Sequence, residues 1–374
     1  MIRVRVLPDA HTPHLLQVYA GLTDLARVGA IHLEYFLEPQ GDARAFHRGS
    51  LWAVVDRGPA TSGVKVCLDL FDGGEIASPD GLDRCDLYFK RSYDPGVVAA
   101  LPAPLRQKLR PLGLNCFLLG DNDGDLLRRV GIEWRLRRAR GQSFSRADWS
   151  FRAQLIISAM APRRAPLFVR RRLVPRASAF EAPPDVPRAQ TIVLQCRVWS
   201  PGDVSHGAAV DQLNDERAAL VRLLRTTFAG RFVGGLVDTP FARSRYPDCV
   251  TNTATNHIDY LALIQRSGIG VVTRGVHGSI PWKTAEYLAA SCCVVTEPMR
   301  HVLPEPLEEG AHVLTFITAE ECVAHCERLL SNAGQFREMR AANAAYYARA
   351  ARPARLAERW IGEALDAQTT ALHS

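Results

Sequence analysis

Lys283 and Glu286 stand three residues apart in the stretch HGSIPWKTAEYLAASCCVVTEPM, residues 277–299, just where a polar loop gives way to an apolar run. That spacing puts two side chains on neighbouring positions of one helix face. An ammonium there can hold a phosphate while the carboxylate accepts hydrogen bonds from a ribose diol. The plain alternative is a local ion pair worth about 0.3–0.5 kcal/mol, and spacing alone leaves both open. The order strand (IGVVTRG), loop (VHGSIP), helix (WKTAEYLAAS) brings helix N-terminal amides to the carboxyl edge of a sheet, a ready anion site. Ser279 is expected to cap that helix, with Pro281 in its first turn. A cation in the first turn opposes the helix dipole and makes sense if a phosphate arrives to pair with it. Arg274, His277 and Gly278 share the loop, with solvation as their plain reading.

Other residues have suitable chemistry nearer the N-terminus. DAHTPH follows the first strand-like run, so Asp9 and His11 stand at a strand's carboxyl end, either as a general base or as caps for the next helix. Lys90 and Arg91, in YFKRSYD, occupy a similar edge and are either an anion-binding pair or surface charge. DNDGD, residues 121–125, reads as a solvated turn rather than a metal site. The nine cysteines show no CxxC pairs, which argues against zinc and for small apolar core residues.

The elements that must position these groups alternate strand and helix. IRVRVLP, IHLEYFLE, LWAVVD, VKVCLDLFD, DLYFKRSY and NCFLLGD read as strands of a parallel sheet in the first half, with a helix over about residues 149–160. Residues 175–190, rich in Pro and Ala, read as a linker. TIVLQCRVW, GRFVGGLV, IGVVTRG and CCVVTEP then alternate with helices, and three amphipathic helices close the chain. The expected division is a domain over 1–174, the linker, a second domain over 191–350, and a last helix over 351–374 that packs either on its own domain or, through Trp360, Ile361 and Leu365, on the first.

With 374 residues, 47% hydrophobic and 23% charged, the composition is that of a globular protein of two domains. No apolar run approaches the roughly 20 residues needed to span a bilayer. MIRVRVLPDA reads as a strand rather than a signal peptide, so the expected location is cytoplasmic. The net charge of +7 is concentrated in the arginines of residues 128–176. It suits a solvated face or an anionic membrane surface, with Trp134, Trp149 and Phe151 interleaved. Without an RNP pattern, zinc finger or helix-turn-helix, nucleic acid is not an expected partner.

The order strand, short loop, K-x-x-E-Y-L-A, V-V-T-E, an LP…G stretch and strand-like HVLTF resembles the donor-binding half of GT-B glycosyltransferases over about residues 190–350. The resemblance implies an α/β fold of two Rossmann-like domains facing a cleft. It implies that Glu286 binds the nucleotide ribose, and that Arg197, at the end of TIVLQCRVW, contacts the donor diphosphate. Lys283, Arg274, His277, Gly278 and Ser279 would complete the donor site. Gly278 stands where retaining members carry a second glutamate, so the configuration of the product stays open. The function implied is transfer of a sugar from a nucleotide-sugar donor to a saccharide or lipid-linked acceptor, without metal or cofactor, in the cytoplasm or peripherally on the inner membrane face. Alternatives are a sugar-nucleotide epimerase of the same fold and a non-catalytic glycan- or nucleic-acid-binding module.

Overall fold

The computed structural model describes residues 1–8, 10–38, 49–58, 63–161, 166–203 and 208–373. The chain forms two compact units. One comprises Met1–Ala179, His301–Pro306 and Ala348–Ser374; the other comprises Phe180–Arg300 and Leu307–Tyr347. The division falls inside the Pro- and Ala-rich segment, where Ala177 and Phe180 are buried rather than exposed as in a loose tether.

In the first unit β1 (Ile2–Leu7), β2 (Ile31–Tyr35), β3 (Ser50–Asp56), β4 (Val64–Asp69), β5 (Leu87–Lys90) and β6 (Leu109–Pro111) form one sheet in the order β2-β1-β3-β4-β5-β6. β1 pairs with β2, β4 with β5 and β5 with β6 in parallel. β3, the LWAVVD run, lies antiparallel to both β1 and β4, against the all-parallel expectation. Only residues 57–63 separate β3 from β4, too few for the crossover that a parallel neighbour requires.

NCFLLGD is not a strand either. Its buried backbone is partly satisfied by a side chain: the Gln17 amide oxygen accepts from the backbone N–H of Cys116, and Leu119 N donates to Pro175 O at 2.9 Å. A buried segment needs partners for its amides, and a glutamine can take the place of a ladder. DNDGD is a turn that exposes Asn122 and Gly124, but its three aspartates are engaged. Asp121 accepts from Ser178, Asp123 pairs with Arg129 at 2.7 Å, and Asp125 accepts from the Tyr35 hydroxyl at 3.3 Å.

The C-terminal helix Pro353–His373 belongs to this unit and buries Trp360, Ile361 and Leu365 in the same core as Val4, Leu22 and Leu68. It lies close against helix Leu16–Arg27 at Gly21, where a Cβ would come within 2.1 Å of the Pro353 carbonyl oxygen. Only glycine admits that approach.

The second unit holds β7 (Ala189–Cys196), β8 (Phe232–Leu236), β9 (Ser267–Val272), β10 (Cys293–Thr296) and β11 (Val313–Thr315), in the order β11-β10-β9-β7-β8. Every pairing in it is parallel. β9 and β10 are buried along their whole length, as strands covered on both faces must be. From β7 the chain goes first to β8 on one side and later to β9 on the other, which leaves a crevice at the carboxyl ends of β7 and β9. Asn256 caps helix His257–Arg266 and a Thr318–Glu321 capping box opens helix Ala319–Ser331, which fixes where those helices start.

All nine cysteines are buried and unbridged. Among the described residues no helix is long and apolar enough to cross a membrane. Two Rossmann-like α/β units in one chain are the fold class that the resemblance to GT-B glycosyltransferases implies.

Candidate functional site

A cavity of about 360 Å³ opens at the crevice between β7 and β9, within the second unit. The chain leaving β7 contributes Arg197 and Trp199, and the loop after β9 contributes Thr273, Gly275 and Val276. Helix Trp282–Ala289 supplies Lys283 and Glu286, helix His257–Arg266 supplies His257 and Tyr260, and helix Ala208–Thr227 supplies Arg217. The volume is that of an ordinary small-ligand site.

Arg217 is buried and was not legible as a site residue. Its Nε donates to Thr273 Oγ1 at 3.1 Å, and its two terminal nitrogens donate to the carbonyls of Arg197 and Arg274. One guanidinium thus ties together the chain segments that leave β7 and β9, through neutral oxygens only. Burial pushes its pKa down, yet arginine stays charged across the working range. Asn214, one turn earlier and fully buried, holds the Trp199 backbone at both its N–H and C=O, each at 3.0 Å. Gln195 also lines the cavity, and its buried amide nitrogen has no hydrogen-bond partner. A polar interruption of an apolar strand and two polar residues on a helix's buried face are the signals that could have found these three.

Lys283 and Glu286 both line the cavity, and they do not form the local ion pair. The Lys283 ammonium sits 4.8 Å above the centre of the Tyr260 ring. Glu286 is 3% exposed. Burial raises its pKa, with Lys283 and the Tyr260 hydroxyl pulling the other way. Burial also lowers the pKa of His257, with Lys283 adding to the effect. Arg197 lies across the Trp199 ring, 5.1 Å from its centre. The lining therefore presents three permanent cations, one buried carboxylate, and the aromatic surfaces of Trp199, Tyr260 and Trp282.

The remaining loop residues stand elsewhere. Arg274 does not line the cavity: its guanidinium pairs with Glu297 at 3.1 Å and with Glu216, and its backbone N–H also donates to Glu297. His277 is exposed and lies outside the lining. Gly278 takes a left-handed φ of 67° in the turn closed by Gly275 N to Ser279 O at 2.9 Å. Ser279 is not the helix cap: the cap position is Pro281, two residues further on, which has no side-chain acceptor to offer.

In the first unit His11 is buried, with Nδ1 2.8 Å from Glu133 Oε2. Glu133 also pairs with Arg152 and lies 3.6 Å from Arg137. Burial lowers the His11 pKa, opposed by Glu133, and His11 Nε2 has no hydrogen-bond partner. Asp9 lies outside the described residues. Lys90 is 1% exposed and donates to Asp69 at 3.2 Å and to the Phe71 carbonyl at 3.3 Å. Arg91 pairs with Asp72. Both cations are thus engaged by carboxylates of their own unit, that of Asp69 buried and that of Asp72 partly exposed.

Residues 210–362 match the family described as Glycosyl transferase-like. No curated protein matches the chain. Among solved structures, a glycosyltransferase involved in avilamycin A biosynthesis shares 15% identity over 97% of this chain and 92% of its own, with a TM-score of 0.37. The C-terminal domain of a glycosyl transferase group 1 family protein from Francisella tularensis shares 11% identity over 46% of this chain and 87% of its own, with a TM-score of 0.29. A UDP-GlcNAc 2-epimerase from Neisseria meningitidis shares 12% identity over 77% of this chain, which spans 63% of the epimerase, with a TM-score of 0.37. The family match runs from the helix that carries Asn214 and Arg217, through Lys283 and Glu286, into the C-terminal helix.

Proposed function

We propose that this protein is a glycosyltransferase that binds a nucleotide-sugar donor in the cavity between β7 and β9 and moves its sugar to a saccharide or lipid-linked acceptor. The observation that carries this reading is the lining itself: Arg197, Arg217 and Lys283 set against the single carboxylate Glu286. Cleavage of the bond to the anomeric carbon leaves negative charge on the departing phosphate oxygen. Cations already fixed in place neutralise it without reorganisation, the preorganised stabilisation that lowers such barriers most. In this reading Arg197 and Lys283 meet the phosphates, with no metal needed to neutralise them. Arg217 sets the two loops that frame them, Gln195 offers its amide to the ligand, and Glu286 accepts from the ribose hydroxyls. In the first unit, Glu133 holds the proton on His11 Nδ1 and leaves the buried Nε2 as a lone-pair acceptor, the form a general base needs.

Titration calorimetry against nucleoside diphosphates and nucleotide sugars, with wild type and Lys283→Ala, tests the donor site. Binding of one nucleotide class, at least about tenfold weaker in the variant, is expected for a charge-assisted phosphate contact. Absence of binding by any nucleotide overturns the reading. Conversion of a bound donor to its epimer without acceptor would identify an epimerase instead.

A further inference from the structure

Between residues 126 and 176 the chain carries fourteen arginines, no lysine and two acids, Glu133 and Asp148. Both acids are used internally. Glu133 binds His11 and Arg152, and Asp148 closes the Ser145 capping box with Arg137 and Arg152 at 3.5 Å. The segment has no further carboxylate for the exposed Arg128, Arg135, Arg138, Arg146, Arg170 and Arg172.

The apolar residues here are distributed just as unusually. Helix Arg146–Met160 buries Leu155 on one face and exposes Trp149, Ala153, Ile157 and Met160 on another, a stripe at helical spacing. Trp149 is 50% and Met160 71% exposed. Helix Leu126–Ala139, packed beside it, adds exposed Leu127 and Trp134, with the Arg138 guanidinium over the Trp134 ring. Helix Leu167–Arg170 adds Leu167 and Phe168, the latter 72% exposed. The following segment is tied to Arg146–Met160 by Gln154 Nε2 to Arg172 O and Val174 N to Ser158 Oγ, both 2.9 Å.

We propose that these three helices form a docking surface for an anionic lipid bilayer. Tryptophan and phenylalanine suit the boundary between headgroups and chains. Arginine offers headgroup phosphates a two-pronged donor that lysine lacks. An uncompensated basic rim around an apolar stripe complements an anionic bilayer in both its charge and its hydrocarbon. A nucleic acid would leave the apolar stripe wet, and a second copy of this face would bring like charges together. The inference does not rest on the nucleotide reading, since the surface belongs to the first unit and the cavity to the second.

Flotation of the full chain with phosphatidylcholine vesicles, and with vesicles that also contain phosphatidylglycerol, is the test. Wild type is expected to float only with the anionic vesicles, and less so as salt rises. Arg138→Ser with Arg172→Ser should weaken binding at least about tenfold, from about fivefold per arginine near the surface. Trp149→Ser with Phe168→Ser should weaken it about tenfold or more. Arg243→Ser with Arg355→Ser, which removes charges already paired with Asp238 and Glu358, should leave it unchanged. A blue shift of tryptophan emission on adding anionic vesicles to wild type supports the proposal even where a variant folds poorly. Failure of wild type to float, or arginine variants that bind as wild type does, overturns it. So does RNA binding or concentration-dependent dimerisation through this face without flotation.

Discussion

The Lys283 ammonium rests over the Tyr260 ring rather than on the Glu286 carboxylate one turn further along its helix. A cation held by an aromatic face keeps part of its charge directed outward, since a ring quadrupole contributes only about 0.5–1 kcal/mol at a partly exposed site. Lys283 is therefore poised for an anion that enters the cavity. Lys283→Ala is expected to cost less than about 1 kcal/mol of stability and at least about tenfold in affinity for a nucleoside diphosphate. Denaturant unfolding and calorimetry on the same preparations separate the two effects. A variant that binds as tightly as wild type makes Lys283 a surface residue with an aromatic neighbour.

Arg217 has the opposite balance. Its three bonds go to Thr273 Oγ1 and to the carbonyls of Arg197 and Arg274. Removing it leaves buried oxygens without donors. Arg217→Ala is expected to destabilise by about 2–4 kcal/mol, and Arg217→Lys by most of that, because an ammonium on a flexible stem cannot span the three acceptors. Both should weaken donor binding by loosening the loops. Urea unfolding gives the answer: a loss below about 1 kcal/mol in the alanine variant would mean that the loops hold their shape unaided.

What the sequence reveals and what it hides divide along physical lines. β8, β9 and β10 are largely apolar runs, and β7 is one interrupted by Gln195, with turn residues beyond their ends, so both their existence and the order of elements around Lys283 are readable. Ladder direction is harder: LWAVVD is as apolar as the strands that pair in parallel, and only the short gap after it betrays the antiparallel strand. Pairings between distant residues leave no local trace. Arg274 looks like a free loop cation because Glu216 and Glu297, which hold it, lie 58 and 23 residues away. Lys90 and Arg91 mislead in the same way, since Asp69 and Asp72 fold back onto them. Arg217 is hidden by its helix, whose amphipathic pattern assigns all three of its arginines to solvent until the fold shows which face is covered.

His11 gives a pH dependence whose sign can be worked out. Its folded pKa lies below the ordinary value of 6.5 because burial disfavours the imidazolium. As pH falls through 6.5 the unfolded chain takes up the proton first, so His11 contributes stability above 6.5 that is lost towards its lower folded value. If Nε2 acts as a general base, kcat/KM should stay level through pH 6.5 and fall only in more acid solution. His11→Gln should lower kcat by about 10²–10⁴ and abolish that acid limb. Activity within threefold of wild type would assign His11 a purely structural part in the Glu133 cluster.

Glu286 runs the other way and separates stability from function at one position. Burial raises its folded pKa above 4.5, so its contribution to stability is complete below 4.5 and is lost as pH rises through the folded value. At neutral pH the protein bears the cost of a buried carboxylate, a cost that a ligand's hydroxyl donors would offset. Glu286→Gln removes it. The variant should be about 0.5–2 kcal/mol more stable than wild type near pH 8 and no more stable near pH 4, while nucleotide-sugar affinity falls at least about tenfold. Thermal unfolding at the two pH values, with and without nucleotide sugar, measures both halves at once. A glutamine variant less stable at pH 8 would show that the carboxylate supports the resting fold, and one with undiminished affinity would remove Glu286 from ribose recognition.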